Sequence, residues 1–206
     1  MSLSLNKYSG IAVIVVFSCM HMICLQCNSQ EKLFDYNNFE YQTVRIGSQV
    51  WMAENLRSTH DARGEKINRI CYHHKQENCY NHGALYAWDD LKLKAGYSSR
   101  QGICPDGWHI PSDKEWQTLI DEIGGADSAS YKLNKGMIKG FSLQHGGNYH
   151  SRLENFNYLG KNDYFWSSTG YSSTAAWIWM FAYHHLNANR STVPKVYCLS
   201  VRCVKD

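Results

Sequence analysis

The stretch CLSVRC (198–203) places two thiols close to each other in the chain. Two thiolates facing one another hold soft metal ions. On a regular strand, however, residues five positions apart point to opposite faces, which separates Cys198 from Cys203. Four of the ten histidines come as neighbours, His73-His74 and His184-His185, and neighbours on a strand do not share one metal. His145 and His150 flank Gly146-Gly147-Asn148 and could approach across a loop. Zinc wants three or four ligands in closed geometry, and neither an HExxH nor a paired CxxC occurs. Solvated or hydrogen-bonded histidines, with no metal and no cofactor, are therefore expected. Glu154, Asp163, Asp89 and Asp90 form no marked acid pair. Ser167-Ser168 has no G-x-S-x-G context and suits a turn. Asn155, Asn157, Asn162 and Asp163 offer oxygens without the spacing of a calcium cage.

What residues 146–192 hold instead is a dense supply of aromatic and amide side chains. Sugar faces stack on Trp and Tyr while Asn and Arg read hydroxyls, and the same residue types anchor protein partners. Strand parity sends Trp166, Trp177 and Trp179 into the core together. The candidate binding surface is then Asn148, Tyr149, Tyr158, Tyr171, Asn187 and Arg190.

These residues need a frame. TVRIGSQVWM (43–52) alternates apolar and polar positions around Gly47-Ser48, a β-hairpin signal. Cys71 and Cys79 bracket a polar segment, and a disulfide closing that loop is the simplest reading. GALYAWDDLKLKAG (83–96) puts Leu85, Trp88 and Leu91 at helical spacing and predicts a first helix. In CPDGWHIPSDKEWQTLIDEIGG (104–125), Pro105-Asp106-Gly107 is a turn. Ser112 and Glu115 form a capping box, and Trp116, Leu119, Ile120 and Ile123 make one apolar face. Gly124-Gly125 stops this second helix. Asp113 and Glu115 then serve the helix dipole rather than acid chemistry. A short helical segment is predicted over 126–135. Strands are predicted at 141–143, at 164–166, at 176–183 and, as one piece, at 196–204. Strands frame central helices, which is an α+β domain with first and last strands paired.

The chain has 206 residues, enough for one domain plus a leader. A net charge of +3 with mixed signs, and no basic run, excludes a nucleic-acid partner. Lys7 and the apolar run Gly10–Phe17 read as an export signal, too short to span a membrane. Val16-Phe17-Ser18-Cys19 resembles a lipoprotein cleavage box, which would acylate Cys19 and anchor the protein to a membrane; Cys24, Cys27 and ordinary cleavage near Gln26–Ser29 are the alternatives. The expected organisation is a signal and anchor region over 1–27, a polar tether over 28–40 and one domain over 41–206. The expected location is the outer membrane or cell surface, otherwise secreted, an oxidising setting in which cysteines pair.

Five ordered blocks carry a resemblance: TVRIGSQVWMAENL (43–56), HGALYAW (82–88), CPDGWHIPSDKEWQTLI (104–120), YFWSST (164–169) and SVRCVKD (200–206). Together they resemble the Fibrobacter succinogenes major paralogous domain of secreted and lipoprotein modules. The resemblance implies a C-type-lectin-like fold with two main helices, a terminal-strand hairpin and a loop-rich antiparallel sheet. It also implies a Cys104–Cys203 disulfide, which leaves Cys198 an odd thiol unless it meets Cys24 or Cys27. The formylglycine-generating enzyme, of related fold, carries a C-x4-C copper pair, so a copper or thiol enzyme using Cys198 and Cys203 is one alternative. The Glu-Pro-Asn and Trp-Asn-Asp signatures of calcium-dependent lectins are missing. The expected function is a non-catalytic surface module that binds glycan or protein, with a structural or adhesion component of a surface assembly as the other alternative.

Overall fold

The computed structural model describes residues 32–91 and 101–206. The expected signal region 1–27, Cys19, Cys24, Cys27 and the end of the expected first helix at Gly96 lie outside the described residues. In chain order the strands and helices begin with β1 (Leu33–Phe34), β2 (Glu40–Tyr41), β3 (Thr43–Ile46) and β4 (Gln49–Met52). There follow α1 (Gln76–His82), β5 (Leu85–Ala87), β6 (Trp108–His109), α2 (Asp113–Glu122) and α3 (Ala126–Asn134). The remainder is β7 (Asn148–His150), β8 (Asn155–Asn157), β9 (Asn162–Gly170), β10 (Ala175–Ala182), β11 (Ala188–Pro194), β12 (Tyr197–Ser200) and β13 (Val204–Lys205). Among the described residues this is a mixed α+β domain with three α-helices and mainly antiparallel sheets. Among the described residues no helix is long and apolar enough to cross a membrane.

The hairpin β3–β4 forms as its alternation requires, with Gly47 at φ +56° supplying the left-handed turn residue. Its β4 strand pairs with the last strand β13 through Val204 and Trp51, and β13 pairs in turn with β6. The β3–β4 hairpin and the chain's last strand thus share one four-stranded sheet. The larger sheet runs β11-β10-β9-β12-β7-β8, with β5 also paired to β12. Only the β9–β12 contact within it is parallel. Both faces of β9 and β10 are covered. Trp166 and Ile178 face a core with Tyr41, Tyr86 and Leu199. Phe165, Trp179 and Phe181 face α2 and α3, where Trp116 stacks on Phe165 at 5.1 Å and lies 4.7 Å from Trp51.

Helix α2 matches its sequence signals residue for residue. Ser112 Oγ accepts from the Glu115 amide, and the Glu115 carboxylate accepts from the Ser112 amide at 2.7 Å. Glu115 has a second duty. It meets His109 Nε2 at 2.8 Å, while His109 Nδ1 meets Asp206 Oδ1 at 2.6 Å. Burial pushes the His109 imidazole down, but hydrogen bonds and charge from Glu115 and Asp206 win and raise it above its ordinary 6.5. Burial pushes Glu115 up, but hydrogen bonds from His109 and Ser112 bring it down to about 2. The stability from Glu115 is complete above its ordinary 4.5 and lost as pH falls toward 2. That from His109 is complete below 6.5 and lost as pH rises through its raised value. The cluster therefore stabilises most between about pH 4.5 and pH 6.5. In thermal melts, Glu115→Gln, which keeps a capping oxygen, lowers the midpoint most near the centre of that window. A midpoint difference that stays flat across pH would refute the assignment.

Several predicted elements come out differently. The segment expected as a helix over 83–96 is a strand, β5, followed by a 3-10 turn at Trp88–Leu91, because β12 offers Leu85, Tyr86 and Ala87 a pairing edge. The polar segment between Cys71 and Cys79 runs into the helix α1, which continues to His82 and buries Cys79. Residues 141–143 form no strand; Phe141 is buried and the Ser142 amide donates to Ala53 O. The single strand expected over 196–204 is two, β12 and β13, in different sheets. Part of the expected tether is folded: β1 pairs with β2, and buried Asp35 accepts from the amides of Asn37 and Phe39 and from Tyr41 Oη.

Candidate recognition surface

Two of the candidate residues, Tyr171 and Arg190, meet at one end of the β9–β10 hairpin. They meet around Trp177. This tryptophan shares a strand face with Trp179 and Phe181 but is only half-buried. On β11, Arg190 sits opposite Trp179 and diagonal to Trp177. Its guanidinium lies 3.4 Å from the Trp177 ring centroid, a cation–π stack. Asp113 clamps it: Arg190 Nε donates to both carboxylate oxygens at 2.9 Å, and Nη2 reaches Oδ2 at 2.7 Å. Asp113 Oδ1 also accepts from Trp179 Nε1 at 3.1 Å. Tyr171 stands edge-on to Trp177 at 5.2 Å and is 61% exposed. The result is an aromatic ledge backed by an ion pair.

The other candidates do not join this ledge. Asn148 and Tyr149, expected on the surface, are buried, since β7 lies between β12 and β8. Tyr149 packs on Phe156 at 4.5 Å, and Asn148 Oδ1 accepts from Asn157 Nδ2. Tyr158 is exposed at φ +67° beside Tyr164. Asn187 is exposed in the β10–β11 turn and donates to Asn189 Oδ1. The expectation that Trp166, Trp177 and Trp179 point inward together is corrected: Trp166 pairs across from Ile178 and faces the opposite side of the sheet from the other two. The role of Asp113 was missed, because nothing local announces an arginine from β11.

Among the described residues the cysteines form two bridges, Cys71–Cys79 and Cys104–Cys203. Cys203 is therefore unavailable to pair with Cys198 at a metal. Cys198 is a buried free thiol packed beside Tyr72, Leu85 and Tyr149. Burial, with the nearby charge of Asp90, pushes it up to about 12, so it is not a thiolate at neutral pH. Among the described residues no group of three or more His, Cys, Asp or Glu is placed to hold a metal.

Behind the sheet lies a buried polar knot that the sequence alone did not reveal. Asp163 is fully buried and accepts from the amides of His145 (2.8 Å) and Gly146 (3.1 Å) and from Asn55 Nδ2 (3.3 Å). Asn55 Oδ1 accepts from Nη2 of fully buried Arg202, which also donates to Ser142 O at 2.7 Å. An acid and an arginine inside stretches of aromatic and β-branched residues were the available signal.

Compared with known proteins, the chain matches a family model described as the Fibrobacter succinogenes major domain over residues 44–205. No curated protein and no solved structure matches it.

Proposed function

Since the chain belongs to the Fibrobacter succinogenes major domain family, we propose that it works as a non-catalytic recognition module at the cell surface, binding a glycan or a protein. The ledge formed by Tyr171, Trp177 and Arg190 is its contact surface. The observation that carries this is the exposed Tyr171 ring set against a tryptophan already stacked and clamped by the Arg190–Asp113 pair. Rigid aromatic anchors of this kind bind with little ordering cost. In this reading the chain is exported, held at the outer membrane by acylated Cys19, and adopts a C-type-lectin-like fold. Support for that fold comes from the β4–β13 pairing and from the Cys104–Cys203 bridge to the last strand.

The test is a glycan array and a pull-down from envelope extract with the folded chain. Tyr171→Ala is expected to weaken the captured interaction at least ~10-fold, about 1.4 kcal/mol. Its melting curve should be unchanged, since Tyr171 is mostly exposed. Full retention of binding by Tyr171→Ala would remove the ledge as the contact surface.

A further inference from the structure

The opposite end of β10 carries a second feature. A cavity of about 340 Å³ opens between the end of α3, residues 141–145 and Tyr183. Leu133, Phe141 and Leu143 give it an apolar wall. Asn134, His145 and Tyr183 give it polar groups and one half-exposed ring. No Asp, Glu, Lys or Arg lines it. Its volume lies at the small end of the ~300–1,000 Å³ range of ligand pockets, which suits one ring rather than a long ligand.

Two observations mark it as more than a surface dent. First, Asn134 Oδ1 and His145 Nδ1 are buried without hydrogen-bond partners. The Asn134 amide is pinned by its Nδ2, which donates to Ala182 O at 3.1 Å. His145 Nδ1 stands 3.6 Å from Asp163 Oδ2, beyond hydrogen-bond reach. Orphaned buried polar atoms are costly and are normally satisfied by something. Second, His145 sits at φ +49°, a left-handed conformation that a histidine adopts at a cost. Asp163 holds it there through the His145 and Gly146 amides. Such strain, fixed by surrounding structure, concentrates at binding sites. The imidazole also meets the Tyr183 ring edge-on at 5.4 Å. Burial pushes His145 down, against a smaller opposing pull from Asp163, so the ring is neutral and offers one donor and one acceptor.

We propose that this cavity binds a single uncharged, hydroxylated ring, a sugar unit, packed on Tyr183 and hydrogen-bonded by Asn134 and His145. An apolar wall meets the C–H face of such a ring, and neutral donors and acceptors meet its hydroxyls. Nothing in the lining compensates a charged ligand. The site is separate from the Tyr171 ledge: Tyr171 precedes β10 and Tyr183 follows it, so the length of the strand, roughly 25 Å, lies between them.

The experiment is an NMR titration of the folded chain with free neutral monosaccharides, their oligomers and the matching uronic acids, following His145 and Tyr183 resonances. Neutral sugars are expected to shift both, with uronic acids at least ~5-fold weaker. Shifts with monosaccharides assign the site to a free sugar; shifts only with oligomers assign it to a chain end. Tyr183→Ala is expected to weaken binding at least ~10-fold, whereas Tyr171→Ala leaves it unchanged. Absence of shifts at saturating sugar, a preference for uronic acids, or full binding by Tyr183→Ala overturns the proposal. None of these results bears on the ledge, which Tyr171→Ala tests alone.

Discussion

Asp163→Ala is expected to lower stability by about 3–5 kcal/mol, the cost of leaving a buried charge uncompensated. Arg202 is fully buried; its Nη2 donates to Asn55 Oδ1 and Ser142 O, but its Nε and Nη1 have no partner. Its guanidinium lies 4.3 Å from the Phe141 ring centroid and 5.0 Å from that of Phe165, which returns part of its lost hydration. Burial pulls Arg202 down to about 10, opposed by the charges of Asp163 and Glu54, so it stays a cation at neutral pH. Asp163 is the fully buried anion of the same knot, linked to Arg202 through Asn55. Removing its carboxylate strands the cation and also orphans the amides of His145 and Gly146. Asp163→Asn separates the two losses in part: Oδ2 accepts from the His145 amide and Oδ1 from the Gly146 amide, so the single amide oxygen keeps one of these bonds while the charge is gone. Urea titrations give the values. If the double variant Asp163→Asn/Arg202→Met recovers most of the stability lost by Asp163→Asn, the loss comes mainly from the uncompensated charge. A loss below about 1 kcal/mol for Asp163→Ala would show that the knot does not depend on this carboxylate.

The same knot shows where sequence reasoning reached and where it stopped. Helix α2 was legible because its cap, apolar face and Gly-Gly stop all lie within a few residues of one another. The β3–β4 hairpin and the Cys71–Cys79 bridge were legible for the same reason. Strand β5 was not, because Leu85, Tyr86 and Ala87 become a strand only by pairing with β12, far along the chain. Parity put Trp166 and Trp179 in the core, where they lie, but it wrongly placed them on one side together with half-buried Trp177. It assumes one wet face, whereas β9, β10 and β7 are covered on both sides, so buried residues fall on both parities. Arg190 was found as a surface residue, but its partner Asp113 was assigned to a helix dipole, since an ion pair between β11 and α2 leaves no local trace. Of the residues selected by type, Tyr171 and Arg190 converge on Trp177, while Asn148 and Tyr149 pack inside.

The second large effect is expected from the Cys104–Cys203 bridge. It spans a sequence separation of 99, against 8 for Cys71–Cys79. Chain-entropy reasoning puts the closure of a loop of about a hundred residues near ~4.7 kcal/mol and that of the short loop below ~3 kcal/mol. Location adds to length. Cys203 lies in the crossing from β12 to β13, its carbonyl accepts from the Met52 amide at 3.0 Å, and β13 then pairs with β6 just beyond Cys104. The bridge therefore holds the link between the two larger sheets. The double variant Cys104→Ala/Cys203→Ala is expected to lose markedly more stability in urea than Cys71→Ala/Cys79→Ala. Both Cys104 and Cys203 are fully buried, so part of the loss is the vacated sulfur volume rather than loop entropy. Cys198→Ala supplies that correction, because it removes a buried sulfur from an unbridged position. If the corrected losses of the two bridges are equal, restriction of the unfolded chain is not what the long bridge contributes. Its stabilisation would then reside in native packing at the junction of β6 and β13.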